Sequence, residues 1–135
     1  MNVQLKTDFE KLGRALARLE EVVSWPESHD GRVEAAIQCF EFVIELYWKL
    51  LKHMLHFKGT IIATPRDAFR DAFAAGWIDN EQSWVRMLKD RNLSSHTYNE
   101  DLSQEILGHI PGYLPLLSQT FAFLKVLAEK EFTEE

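Results

Sequence analysis

Three side chains near the end of the fourth predicted helix are of the types that can act on a phosphodiester bond. Arg91, His96 and Tyr98 lie within the stretch KDRNLSSHTYNED of an otherwise acidic chain. Cleavage of RNA without a metal needs a base for the 2′-hydroxyl proton, an acid for the leaving oxygen and cations for the developing charge. A histidine can take both proton-transfer roles, and an arginine binds phosphate through two parallel hydrogen bonds. The same spacing also fits a capped helix end with a hydrogen-bonded histidine, so both interpretations stay open.

Helical geometry decides whether these three side chains can meet. On one unbroken helix Arg91 and Tyr98 share a face, whereas His96, five residues after Arg91, points about 140° away. We therefore predict that the helix ends between Arg91 and His96. The serine pair at 94–95 favours this break because its hydroxyls compete for backbone hydrogen bonds, and Thr97 can start the next helix through the capping box TYNE. This prediction places Arg91 at a helix end, His96 in the turn and Tyr98 in the first turn of the next helix.

The rest of the sequence predicts helices only. Apolar residues recur at helical spacing, and no long stretch alternates with a period of two. The first two helices are expected at about residues 7–23 and 32–57, separated by the breakers Pro26 and Gly31. The second helix is apolar over most of its circumference, which requires a central position or a partner subunit against it.

Local signals set the third and fourth helices. Thr64 can cap the third helix, Pro65 suits its first position, and Gly76 suits the left-handed turn that closes it. Asp79 can cap the fourth helix, with Gln82 returning the hydrogen bond.

The final segment keeps its helical phase through two prolines, Pro111 and Pro115. We predict one long kinked helix, with two helices that meet at Gly112 as the alternative. The tail from residue 129 onward is expected to fray. The whole pattern predicts an all-α, up-and-down bundle of about five helices that forms a single domain over residues 1–135.

The charge distribution limits the kinds of partner that the chain can bind. A net charge of −6 argues against broad nonspecific binding to nucleic acid. Residues 49–91 reverse this balance with eight lysines and arginines against five acids, which suits either an anionic ligand or a solvated face of mixed charge. Glu41 and Glu45 lie one turn apart on the second helix, where they either contact the site or a partner subunit or point into solvent.

Other sequence features predict a soluble cytoplasmic protein that needs no cofactor. The single cysteine, Cys39, cannot form an internal disulfide, which fits a reducing compartment. No stretch of eighteen apolar residues predicts a membrane span, and the N-terminus lacks the apolar core of a signal peptide. His53 and His56 lack a carboxylate at the spacing of a helical metal site, so we predict no metal.

The motif and its surroundings resemble the HEPN family of helical domains. RNLSSHTY matches the R-x-x-x-x-H-x-Y signature of that family, with the polar Asn92 that the family often places after the arginine. IQCFEFVIELYWKLLKHML is similar to the second helix of the HEPN subfamily called nucleotidyltransferase substrate-binding proteins. TPRDAFRDAFAAGWI and WVRMLKDRNLSSHTYNED then follow in that subfamily's order and spacing. The resemblance covers most of residues 9–110.

The resemblance implies a dimeric HEPN bundle encoded beside a minimal nucleotidyltransferase, with which it forms a toxin–antitoxin module. In such modules the HEPN subunit is a metal-independent ribonuclease toxin that acts on RNA. Arg91 would then hold the scissile phosphate, His96 would be the general acid–base, and Tyr98 would support the site. Asn92 and Ser95 would be binding residues, and Tyr98 would also be a candidate for nucleotidylation by the partner.

A second function class stays open beside the ribonuclease. The subfamily takes its name from a non-catalytic subunit that presents substrate, such as a nucleotide, to a nucleotidyltransferase. The intact motif favours the ribonuclease, because a pure adaptor could lose His96.

Overall fold

The computed structural model describes residues 1–96 and 99–132, with His96 described by its backbone alone. Within these residues the chain forms five helices and no strand, which confirms the predicted all-α bundle. The helices are α1 Val3–Val23, α2 Arg32–Phe57, α3 Pro65–Ala74, α4 Glu81–His96 and α5 Glu100–Glu131. None of these described helices combines the length and the apolar character needed to cross a membrane.

The second helix is the centre of the bundle, because α2 contacts each of the other four helices. Its apolar stripe is fully buried at Phe40, Ile44 and Leu51. The Tyr47 hydroxyl, also buried, donates a 2.6 Å hydrogen bond to the carbonyl of Leu117 on α5. Of the two alternatives that the sequence left open for so apolar a helix, the central position is confirmed.

The capping signals at both ends of α3 act as predicted. The Thr64 hydroxyl accepts a hydrogen bond from the Asp67 backbone amide at 3.1 Å, and Pro65 is the first residue of the helix. Gly76 follows with a φ of 80°, a left-handed conformation that glycine adopts without steric cost.

The predicted cap of α4 is wrong by one residue. Asn80, with a φ of 57°, precedes the helix, and its side-chain oxygen accepts from the Ser83 amide at 3.3 Å. Asparagine tolerates the left-handed conformation better than most residues. The carbonyl of Asp79 instead accepts a hydrogen bond from the Trp84 indole at 3.0 Å.

The predicted helix break between Arg91 and His96 is also wrong, because α4 continues to His96. The Ser94 hydroxyl has a shorter contact with Oε2 of Glu41 on α2, at 2.6 Å, than with the carbonyl of Arg91, at 3.0 Å, so its one proton is used between helices and does not end α4. The cap of α5 is Asn99, whose side-chain oxygen accepts from the Leu102 amide at 3.0 Å. The cap predicted at Thr97 lies outside the described residues.

The last helix, α5, is continuous through Pro111 and Pro115, as predicted for a single long helix. It does not fray at residue 129. Phe132 at its C-terminal end is only 4% exposed. The centre of its ring lies 5.8 Å from the ring centre of Trp77 and 5.4 Å from that of Phe57. Residues 133–135 of the tail lie outside the described residues.

Candidate functional site

Arg91, the first residue of the predicted motif, lies against α2. Its Nη2 atom donates a 2.6 Å hydrogen bond to Oε1 of Glu45, and its Nη1 atom donates to Oδ1 of Asn92 at 3.1 Å. The Nε atom is buried and has no hydrogen-bond partner among the described residues. The Arg91 side chain as a whole is 25% exposed.

Glu45 fixes the position of the Arg91 guanidinium. Its Oε1 also accepts from the Trp48 indole at 3.1 Å, and its Oε2 pairs with the Lys49 ammonium at 3.0 Å. Burial alone would raise the pKa of this carboxyl. The hydrogen bonds from Lys49 and Trp48, with the positive charges of Lys49 and Arg91, outweigh burial and lower the pKa overall. Glu45 therefore stays ionised near neutral pH and acts as a fixed counter-charge.

A second contact joins the end of α4 to α2. The Ser94 hydroxyl donates to Oε2 of Glu41 at 2.6 Å. Glu41 and Glu45 therefore both contact the α4 motif, which was one of the alternatives left open by the sequence. Ser95, a predicted binding residue, is exposed, as is Asn92. Of this serine pair, Ser94 is the one that contacts α2.

The other two motif residues can be placed only in part. His96 is the last residue of α4, and its side chain lies outside the described residues, as does all of Tyr98. Since α4 is unbroken, the positions of Arg91 and His96 lie about 140° apart around its axis. The predicted convergence of Arg91, His96 and Tyr98 in one protomer stays a prediction.

Asp90, the residue before Arg91, forms a polar network with α5 that the sequence did not reveal. Asp90 is buried, with the residue 7% exposed, and its Oδ2 accepts from the Tyr113 hydroxyl at 2.6 Å and lies 2.9 Å from Nδ1 of His109. Burial raises the pKa of Tyr113, and the hydrogen bond to the Asp90 carboxylate raises it further. The sequence contains one signal of this network. Asp90 lies three residues after Met87, so its carboxylate falls on the face of α4 that is buried in the bundle.

The histidines noted as possible metal ligands are used differently. Nδ1 of His53 lies 2.6 Å from Oδ2 of Asp8 on α1, and His56 is exposed. Among the described residues, no three histidine, cysteine or acidic side chains are close enough together to share a metal ion.

The fold and the site together define a class of protein. It is an all-α bundle in which a central second helix holds the arginine of an R-x-x-x-x-H-x-Y motif near the end of the fourth helix. The chain belongs to the family described as nucleotidyltransferase substrate binding protein like, whose model matches residues 7–126. The resemblance to this HEPN subfamily is thereby confirmed.

A relative of known name supports the same family assignment. The probable ribonuclease HepT of Haemophilus influenzae is 33% identical, over a match covering 63% of this chain and 62% of that protein. The matched part thus spans a little under two thirds of the relative's length.

Solved structures agree on the fold. A crystal structure of a Thermus thermophilus protein has a TM-score of 0.75 at 32% identity, covering 82% of this chain and 96% of that chain. A tri-AMPylated Shewanella oneidensis HEPN toxin, in complex with an MNT antitoxin, has a TM-score of 0.73 and covers 93% of this chain and 99% of that chain. At 18% identity, the second likeness shows the fold alone.

Proposed function

We propose that this chain is the HEPN subunit of a toxin–antitoxin module and cleaves RNA without a metal. The observation that carries the proposal is the Arg91 guanidinium, which Glu45 and Asn92 hold in place while a quarter of the side chain stays exposed. A cation that is already oriented can stabilise charge developing on a phosphate without first reorganising. The intact motif and the name of the Haemophilus influenzae relative support the same activity.

The proposed reaction is an attack of the RNA 2′-oxygen on the adjacent phosphorus. A base, His96, removes the 2′-hydroxyl proton, the P–O5′ bond breaks, and an acid returns a proton to the leaving 5′-oxygen. The products are a 2′,3′-cyclic phosphate and a 5′-hydroxyl. Arg91 stabilises the negative charge of the phosphorane, and Tyr98 supports the site. In this proposal Asn92 and Ser95 bind RNA, with Asn92 also orienting Arg91.

The reaction predicts two distinctive results that together test the proposal. The purified, partner-free protein should cleave single-stranded RNA in the presence of a chelator, leaving cyclic phosphate ends. A matched RNA with a 2′-deoxy sugar at the cleaved position should resist, since it lacks the attacking oxygen. Cleavage of this deoxy substrate at the same position would rule out the mechanism, and loss of cleavage in the chelator would rule out its metal independence.

The geometry of α4 supports a dimeric site. Arg91 and His96 occupy positions about 140° apart on one helix, so two motifs facing each other would supply both groups more easily than one motif alone. We propose a twofold homodimer with the two His96 side chains facing a shared cleft. Light scattering should give a dimer at micromolar concentration, and a monomer would contradict this arrangement.

The partner of the proposed module is a minimal nucleotidyltransferase encoded nearby. The family name and the complex of the Shewanella oneidensis toxin with its antitoxin support this choice. Because that toxin is tri-AMPylated, Tyr98 is proposed as the residue that the partner modifies. Co-expression should yield a complex, with added nucleotide mass on the Tyr98 peptide in mass spectrometry. An unmodified Tyr98 peptide after incubation with the partner and ATP would exclude this residue.

The second candidate function is a non-catalytic subunit that presents a nucleotide substrate to the nucleotidyltransferase. The family description favours it, because that description names substrate binding and no reaction. The two functions differ in one assay. An adaptor would bind its ligand but leave RNA intact when the partner is absent, whereas the proposed ribonuclease cleaves it.

A further inference from the structure

Two lysines on α2, Lys49 and Lys52, are linked to Arg91 through Glu45 and Trp48 and have no role in the proposed reaction. The Lys49 ammonium is 3.0 Å from Oε2 of Glu45, the carboxylate whose other oxygen binds Arg91. One turn further, the Lys52 ammonium lies 5.6 Å from the centre of the Trp48 ring, and the Trp48 indole donates to Glu45. Arg91 and Lys52 are therefore connected through the contacts of Glu45 and Trp48. We call Trp48, Lys49 and Lys52 the lysine strip.

The charge of this α2 face changes sign on either side of Arg91. Toward the N-terminal end of α2, a cavity of about 220 Å³ is lined by three carboxylates, those of Glu34, Glu41 and Glu100. Toward the C-terminal end, the lysine strip supplies two ammonium groups, and Lys49 is 51% exposed. A phosphate chain that passes Arg91 is repelled in the first direction and attracted in the second.

We infer that Lys49 and Lys52 bind backbone phosphates of the single-stranded RNA that flanks the bond held at Arg91. This inference rests on the proposed ribonuclease function and adds the direction in which the substrate leaves the site. A chain with a net charge of −6 cannot attract RNA with its whole surface, so binding must depend on a local group of cations. The single negative charge of Glu45 balances only one of the three positive charges of Arg91, Lys49 and Lys52. The Lys52 ammonium lies over the Trp48 ring, which holds it on this face of α2.

A pair of double variants tests the lysine strip without relying on cleavage. The probe is a short fluorescent 2′-O-methyl RNA, which cannot react, and its dissociation constant is measured by anisotropy at several salt concentrations. Lys49→Gln/Lys52→Gln should weaken binding about tenfold or more at moderate salt. It should also reduce the slope of log affinity against log salt by about 1.4, since each single-strand phosphate contact contributes about 0.7.

The control removes the same charge from another surface. Lys125→Gln/Lys130→Gln changes two exposed lysines near the C-terminal end of α5, and it should leave both the affinity and the salt slope unchanged. Equal binding by the two double variants, whether both weak or both strong, would overturn the role of the lysine strip. If the unmodified protein shows no salt-dependent binding of RNA, the ribonuclease function itself fails. The two failures are therefore distinguishable.

Discussion

Two regions of the bundle hold helices together by different forces. The Arg91 cluster, formed by Arg91, Ser94, Glu41 and Glu45, joins α4 to α2 through charged hydrogen bonds of 2.6 Å between partly exposed side chains. The Phe132 cluster consists of three aromatic rings that lock the C-terminal end of α5 against the bundle: Phe57, Trp77 and Phe132.

The difference leads to different expectations for variants in the two regions. Burial of aromatic surface stabilises a fold substantially, whereas a partly exposed ion pair contributes little because water and salt screen it. The proposed role of Arg91 in binding a phosphate therefore does not require its ion pair with Glu45 to stabilise the fold strongly. Variants in the Arg91 cluster should change activity, and variants in the Phe132 cluster should change stability.

The largest expected effect is on catalysis. His96→Ala should reduce the rate of RNA cleavage by roughly 10²–10⁴-fold, the usual contribution of a general acid–base group. His29→Ala, which removes an exposed imidazole in the loop before α2, is the matched control and should cleave at the parental rate. Rates measured under saturating RNA check the prediction, and unchanged cleavage by His96→Ala would show that this histidine takes no part.

The next effect is on stability in the Phe132 cluster. Phe132→Ala should lower the free energy of unfolding by about 3 kcal/mol, because it leaves a cavity between Trp77 and Phe57. Phe123→Ala on α5 removes the same ring from a side chain that is 51% exposed, so its cost should be below about 1 kcal/mol. Urea unfolding followed by circular dichroism provides the comparison. Equal costs for the two variants would contradict the packing of the C-terminal end.

A pH effect is expected at the bond between Tyr113 and Asp90. The folded state raises the pKa of Tyr113 above its ordinary value of about 10, so the unfolded chain releases this proton first. The stabilisation is therefore complete below pH of about 10 and is lost as the pH rises further. Tyr113→Phe should lose about 1–3 kcal/mol at neutral pH by leaving the buried Asp90 with one donor fewer. Above a pH of about 10, the free energy of unfolding should fall less steeply with pH in the variant than in the parent. Equal slopes in the two proteins would contradict this assignment.

The smallest effect is expected at the cap of α3. Thr64→Ala should cost about 1 kcal/mol, because the Asp67 amide loses its acceptor. Thr64→Ser keeps the hydroxyl and should retain most of that stability. The melting temperatures of the two variants distinguish the loss of the capping hydrogen bond from the loss of the threonine methyl group. An equal loss of stability in both variants would assign the effect to the methyl group.

The sequence predicts the parts of the fold that local interactions determine. The bounds of α2 follow from its apolar spacing and from the breakers Pro26 and Gly31 before it, and α3 follows from Thr64, Pro65 and Gly76, which act within one or two turns. The cap of α4 was misplaced because Asp79 and Asn80 are both good capping residues. In the structure the Asn80 side chain accepts from the Ser83 amide, while the Asp79 carbonyl accepts from the Trp84 indole.

Long-range contacts account for what the sequence did not show. Ser94 was expected to end α4, but Glu41, 53 residues away along the chain, accepts its hydroxyl hydrogen bond. The partners of Asp90 lie 19 and 23 residues further along, on α5, and Phe132 packs on rings of α2 and of the segment after α3. Arg91 was predicted as a site residue from its type, its spacing and the HEPN resemblance, whereas its contact with Glu45 depends on the packing of α4 on α2.

One paired measurement tests the central claim that the Arg91 cluster is a reaction site. Cleavage of single-stranded RNA in a chelator and the melting temperature are measured on the parent, Arg91→Ala and Phe132→Ala. Arg91→Ala should lose roughly 10²–10³-fold in cleavage rate, because one preorganised cation no longer stabilises the transition state, and should melt within a few degrees of the parent. Phe132→Ala should melt well below the parent but still cleave RNA at a temperature where it is folded. Full cleavage by Arg91→Ala, or a large loss of stability without any specific loss of cleavage, would contradict the account.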